Sequence, residues 1–414
     1  MNIAKIKKLQ IIVTAIIILL FGFGCNFPQE NLNTSQTDSG PQMDPTKLFQ
    51  DILITAQANL QQTAVTTETQ MSGSSGTQVQ QTTPEPTGTN DPNRTPPTLP
   101  GTYQTDLLNP RDYPHTYISD TCEFLKNRWT PGKAEPGTVV MTVMYHSIVK
   151  GDDSAVTLDN QISSERHKQI ALDLYNQGFS AIDMSQFVNF MKYNDYIPAR
   201  SVLLITDDRH HESYFSDHFL PLYQEYGWKV VNGWISSDAT TEDLWKENER
   251  VEAAGYVDHQ AHGVVHNENM SDGSTDEYIY SELQGSIDRI KEHFGKIPQA
   301  IIWPGGTFGN RPIQIAKELG YEVGFTVNPR GPVMYNWVPL DDEIDPGRPA
   351  YLADGTSDPL FVIPRYWDTD VSSHIDTVRQ IGKAAKEQIF ANREIELEYY
   401  DIVCKSITGE IPGL

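Results

Sequence analysis

An α/β fold built on a parallel sheet is what this sequence predicts, and three observations predict it. Between residues 138 and 327, apolar β-rich runs alternate with stretches of helical periodicity. The run at 202–206 is continuous in apolar residues, as in a strand covered on both faces. The residues able to carry chemistry fall just past the strand ends, where barrels of this class keep their sites. The folded region, residues 101–414, is roughly 310 residues long, a normal length for a barrel.

The elements follow in order. Residues 138–145 (TVVMTVMY) come after Pro136-Gly137 and read as a strand that delivers Tyr145-His146-Ser147 at its carboxyl end. A helix is expected over 163–176, with Ile170, Leu174 and Tyr175 on one face and Gly178 as its stop. Residues 202–206 form the next strand, 212–226 a helix, 229–235 a strand and 241–253 a helix. A short strand over 256–261 leads to His262. A long helix over 276–294, a strand over 300–303, a helix over 312–319 closed by Gly320, and a strand over 322–327 complete the alternation. A further helix spans 373–392. Residues 331–370, rich in proline and carrying Asp341-Asp342-Glu343, read as a loop insertion that walls a groove.

Four residues dominate the chemistry. Asp207 and Asp208 end an apolar strand, and His262-Gly-Val-Val-His266 lies downstream. One carboxylate and two imidazoles make a three-ligand set that leaves a catalytic Zn²⁺ an open position, and the second carboxylate stays free to take a proton.

In order and spacing, Val-Met-Tyr-His-Ser-Ile at 143–148, Asp207-Asp208, His262-x-x-x-His266, Trp303-Pro304-Gly305-Gly306 and Gly320-Tyr321 resemble the polysaccharide deacetylases with a NodB-type catalytic domain. The resemblance covers residues 138–328, with an echo at Ile363-Pro364-Arg365. It implies a distorted (β/α)7-type barrel and a metal-dependent hydrolase that removes acetyl groups from a polysaccharide, one containing N-acetylglucosamine in the extracellular branch. It makes Asp208, His262 and His266 the metal ligands, Asp207 the general base, and Zn²⁺ the metal, with Co²⁺ or Ni²⁺ as alternatives. Gly305 stands where the family has a tyrosine whose N–H steadies the oxyanion, and Trp303 precedes it on the substrate side. The family's late histidine has no counterpart here, so His146 is the candidate general acid, with a purely hydrogen-bonding role as the other reading. The family's arginine beside the base is Ile302 here, so Arg209 or Arg365 is expected to replace it in space. His210, His211 and His259 read as groups around the site. Trp234, Trp303, Trp337 and Trp367 are either sugar platforms or packing.

The amino end looks like a bacterial lipoprotein signal. Lys5, Lys7 and Lys8 precede an apolar run from residue 11 to 23, and Gly22 and Gly24 lead to Cys25. The likeness implies a signal peptide over 1–24 and a lipid on Cys25 that tethers the protein to the outer face of a membrane; an uncleaved signal anchor is the alternative. Residues 25–100, rich in Ser, Thr, Gln and Pro, cannot bury a core and read as a flexible stalk, with Leu48, Ile52, Ile54 and Leu60 at loosely helical spacing. The formal charge of −24 argues against nucleic acid and against adhesion to anionic lipid through basic residues. Cys122 and Cys404 are expected to pair in an oxidising compartment; two buried thiols are the alternative.

The leading function is thus a metal-dependent amidohydrolase acting outside the cell. Its rival is a carbohydrate-binding lipoprotein of the same fold with a degenerate site, suggested by Arg209, Gly305 and the missing late histidine. A glycosidase needs two opposed carboxyl groups a set distance apart, which adjacent aspartates do not supply.

Overall fold

The apolar runs become the strands of one parallel sheet. The computed structural model of the chain describes residues 94–266, 269–342 and 358–413. Its strands are β1 (Asp112–His115), β2 (Val139–Tyr145), β3 (Ser147–Val149), β4 (Gln161–Ser163), β5 (Ser180–Ala181), β6 (Arg200–Asp207), β7 (Val230–Trp234), β8 (Val257–Ala261), β9 (Ala300–Ile302), β10 (Val323–Phe325), β11 (Val338–Asp341) and β12 (Tyr366–Trp367). The main sheet has the order β10-β9-β8-β7-β6-β2-β12, with β5 also pairing to β6, and its strands pair parallel. Every residue of β2, β7 and β9 is buried, which is why their sequences do not alternate.

One short segment joins the two edges of the sheet. Ile363 exchanges backbone hydrogen bonds with β10, accepting from Thr326 N and donating to Gly324 O, both at 2.9 Å. Three residues on, Tyr366 and Trp367 pair with Val143 and Met144 of β2. The Thr142 hydroxyl donates to Pro364 O between these points. The result is the expected distorted (β/α) barrel, with seven strands on its path.

The helices that cover it are α1 (Thr121–Trp129), α2 (Ser164–Asn176), α3 (Met184–Tyr193), α4 (Glu212–His218), α5 (Leu220–Tyr226), α6 (Glu242–Ala253), α7 (Asp276–Phe294), α8 (Asn310–Glu318), α9 (Val371–Ala391) and α10 (Arg393–Tyr399). Their starts follow from capping chemistry: the hydroxyls of Ser163, Thr241 and Thr275 accept from the third residue on, contributing about 1 kcal/mol each. The single helix expected over 212–226 is instead α4 and α5, because Pro221 has no N–H to donate to Asp217 O and breaks the ladder. Tyr175, expected on the buried face of α2, is exposed and stacks on Tyr226 at 4.5 Å.

Helix α9, expected over 373–392, packs on the barrel. Val371, Ile375, Val378, Ile381 and Ala385 of α9 share one core with Val139, Met141 and Val143 of β2. Gly382 allows the close approach: a Cβ there would lie 2.8 Å from Gly137 O. A separate cluster at α1 contains the Cys122–Cys404 disulfide, so the expected pairing forms. Beside it Glu396 accepts from Arg128 Nη1 at 2.7 Å and Trp129 Nε1 at 2.8 Å.

Part of the expected groove wall has another role. Residues 338–341 form β11, which pairs antiparallel with β1, and Val333 bridges Val140 near the amino end of β2, away from His146. Residues 343–357 lie outside the described residues, as do residues 1–93, on which the expected signal peptide, Cys25 and most of the expected stalk fall. Among the described residues no helix is long and apolar enough to cross a membrane.

Candidate metal centre and active site

The carboxyl ends of the strands bring the chemistry together. In the β2–β6 register Tyr145 lies opposite Thr206, so the next residues, His146 and Asp207, emerge side by side. Asp207 also pairs with Gly233 of β7, Trp234 with Ala261 of β8, and Ala261 with Ile301 of β9. His262 therefore follows β8 two strands from Asp207. Asp208, one step past β6, turns out of the sheet with φ +78°.

Asp207 is buried and bound on both oxygens by one guanidinium. Arg365 Nη1 donates to Oδ1 at 2.6 Å and Nη2 to Oδ2 at 2.9 Å, while Arg365 Nε donates to Thr326 O at 2.7 Å. Burial alone would raise the carboxyl; Arg365, with His262 and His146, outweighs it and holds the group well below the usual carboxylate range. Of the two arginines expected beside Asp207, Arg365 is the one in place. Arg209 is exposed and donates to Thr240 Oγ1 at 3.2 Å.

His146 faces the same carboxylate from the end of the neighbouring strand, with Nε2 3.8 Å from Asp207 Oδ2. Its ring stacks on Trp367 at 5.4 Å and 15°, and its backbone oxygen accepts from the Tyr214 hydroxyl at 3.3 Å. Trp367 is partly exposed, and of the four tryptophans it is the one stacked on this histidine.

Asp208, His262 and His266 form a cluster whose ligand atoms lie within 4.8 Å of one another. Around a tetrahedral cation with ligand bonds of about 2.0–2.2 Å the ligand atoms would lie about 3.3–3.6 Å apart, so side-chain movements of roughly 1 Å would bring the three onto one ion. The chemistry of His262 fits too. Its Nδ1–H donates to Ile302 O at 2.7 Å, which leaves the Nε2 lone pair turned toward Asp208, 4.0 Å away. Burial lowers its pKa to about 4 against the pull of the Asp207 charge, so the ring is neutral at neutral pH, the form that binds metal.

The remaining residues singled out in the sequence divide clearly. Gly305 has φ +60°, and a Cβ there would sit 2.7 Å from Asn269 Oδ1, so Asn269 occupies the space a side chain would need. Trp303 is fully buried with Nε1 donating to Phe361 O at 2.7 Å; it is a core residue and not a sugar contact, because the segment joining the sheet edges covers it. Trp234 and Trp337 are likewise buried. His210 donates from Nε2 to Asp207 O at 2.7 Å, His211 pairs with Glu247 at 2.9 Å, and His259 is buried between Glu252 and Asn248. None of these three belongs to the metal cluster.

Asp368, next to Trp367, was not signalled by any motif. It is 2% exposed, its Oδ1 accepts from Thr369 N at 2.8 Å, and burial pushes its pKa up to about 7. A folded-state value above the unfolded one means stability that is full below pH ~4 and lost as pH rises through 7. Asp368→Asn removes that loss. The variant is expected to be more stable than the parent by up to about 4 kcal/mol near pH 8 and no more stable near pH 4, read by urea denaturation. A gain of equal size at both pH values would refute the assignment.

The family model described as polysaccharide deacetylase matches residues 195–324. A Bacillus subtilis (strain 168) protein that carries a polysaccharide deacetylase designation, YxkH, is 24% identical over 198 residues, covering 48% of this chain and 67% of its own. Among solved structures, the Streptococcus pyogenes deacetylase PplD, in complex with acetate, is 19% identical with a TM-score of 0.44, covering 56% of this chain and 92% of that one. A de-N-acetylase from Aggregatibacter actinomycetemcomitans is 16% identical with a TM-score of 0.44, covering 59% and 99%. Asp207, Asp208, His262 and His266 all fall inside the matched segment, and His146 and Arg365 fall outside it. The part of the chain that supplies the metal cluster and the paired aspartate is thus similar to a polysaccharide deacetylase domain.

Proposed function

We propose that this protein is a metal-dependent hydrolase that removes acetyl groups, N-linked or O-linked, from an extracellular polysaccharide containing N-acetylglucosamine. The observation that carries the reading is Asp207, held ionised by Arg365, beside a three-residue metal cluster and opposite His146. Zn²⁺ is the first choice for Asp208, His262 and His266, with Co²⁺ or Ni²⁺ as alternatives. A divalent cation there would polarise the amide oxygen and acidify a water molecule.

The protein's own groups supply the proton transfers. Asp207 accepts the proton of the attacking water on a lone pair that Arg365 leaves free. A carboxylate held at so low a pKa is a weak base, always ionised at working pH, so the acidity of the water must come from the cation. The Gly305 N–H is the donor offered to the developing oxyanion. His146, across the carboxylate, gives the departing amine its proton. Trp367 stacks on that ring and orients it.

The location follows the same reading: an extracytoplasmic protein tethered by lipid on Cys25, after removal of residues 1–24, with residues 25–100 as the stalk. The disulfide supports an oxidising compartment.

The test is acetate release from acetylated glucosamine oligomers with added Zn²⁺, Co²⁺ or Ni²⁺. Asp207→Asn is expected to lower kcat about 10³-fold, within the range for a general base, while retaining metal. Bound metal with no release from chitin-like, peptidoglycan-like or acetylxylan oligomers would favour the carbohydrate-binding reading instead.

A further inference from the structure

Glu282 lies on α7, fully buried, and touches none of the reacting groups. Its carboxylate accepts from three successive backbone amides: Val264 N to Oε2 at 2.8 Å, Val265 N to Oε1 at 3.0 Å and Oε2 at 3.2 Å, and His266 N to Oε2 at 3.4 Å. These are the amides of the loop that separates the two histidines of the metal cluster. The loop is wrapped around the carboxylate. Gly263 has φ +79°, and a Cβ there would lie 2.5 Å from Glu282 Oε2, so that position requires glycine. His266 itself has φ +58°, a left-handed conformation uncommon for a residue with a side chain.

Burying a carboxylate is costly unless its oxygens are satisfied. Here the only hydrogen bonds recorded for it among the described residues go to this loop, and successive amides converging on one anion form a rigid nest. We infer that Glu282 is a positioning residue for the metal centre: it fixes the left-handed turn that aims the His266 ring at Asp208 and His262. The inference rests on the metal reading above. It adds that ligand geometry is set from α7, on the outer layer of the barrel, through backbone amides and not through the imidazole's second nitrogen.

The experiment measures Zn²⁺ affinity of the full chain by competition with a chromophoric chelator. Glu282→Gln, which keeps the volume but turns an amide NH₂ toward the loop, is expected to bind Zn²⁺ about 10–100-fold more weakly, the usual effect of losing a group that orients a ligand. In a His266→Ala background the same substitution should change affinity by less than about twofold, because the residue it acts through is gone. A purely structural role would weaken both backgrounds alike and overturn the inference, as would Glu282→Gln with the parent's affinity. A parent chain that takes up no Zn²⁺ or Co²⁺ overturns the metal reading itself. If Glu282→Gln does not fold, amide exchange in the parent decides: slow exchange at Val264, Val265 and His266 supports the nest, and exchange as fast as an open loop overturns it.

Discussion

Arg365→Met is expected to destabilise the protein by about 3–5 kcal/mol near neutral pH, since it leaves a buried carboxylate with no cation on either oxygen. The size comes from desolvation: Arg365 and Asp207 are both buried, and the pair has two short, parallel hydrogen bonds. The pH dependence is specific. In the parent, the Asp207 pKa lies below its unfolded value, so its contribution is present above pH ~4 and lost as pH falls toward the folded value. In the variant, burial is opposed only by the histidines and the shift moves upward, so the deficit is largest at neutral pH and shrinks toward pH ~4. Urea denaturation at both pH values checks this. A deficit below about 1 kcal/mol, or one independent of pH, contradicts the account. Arg365→Lys should recover little, because an ammonium cannot span both oxygens.

Removing the disulfide, as Cys122→Ala with Cys404→Ala, is expected to cost a further large amount, about 3–5 kcal/mol. The two cysteines are 282 residues apart, so the cross-link closes nearly the whole described chain into one loop and strongly restricts the unfolded state. Its cluster of Cys122, Leu125, Trp129, Tyr400, Cys404 and Ile411 contains no residue of the metal centre. Stability should therefore fall while Zn²⁺ affinity stays within about twofold. Equal urea midpoints for the oxidised parent and the double variant would sink this prediction.

Much of the fold was legible because strands such as β2 and β6 are buried on both faces and read as nearly unbroken apolar runs. Those runs placed His146 and Asp207, whereas the strand before His262, Val-Asp-His-Gln-Ala, is buried but largely polar. Short or weakly apolar elements were not legible. The capping box of α3, Asp183 with Gln186, was a signal in the sequence that went unused. The two-residue strand β12 is held by pairing with β2, more than two hundred residues away, and carries no periodicity to detect. Arg365 was found as one of two candidates only because a motif echo surrounded it; choosing between it and Arg209 needed the barrel's closure. Glu282 and Asp368 were invisible, since a glutamate on a helix and an aspartate in a polar run look solvated until burial is known.

The segment that joins β10 to β2 has a consequence for how the protein is made. The region matched to the family ends at residue 324, before this segment begins. Synthesis reaches Arg365 158 residues after Asp207, so the nascent chain holds Asp208, His262 and His266, the candidate ligands, long before it holds the guanidinium that pairs with Asp207. Until then the sheet has two open parallel edges, at β10 and β2, that invite pairing with other chains. A chain cut at the boundary of the family match would retain the ligands and lose both the closure and the arginine. Closure of the barrel and the pairing of Asp207 with Arg365 are therefore one event, completed only once residues 363–367 have been made.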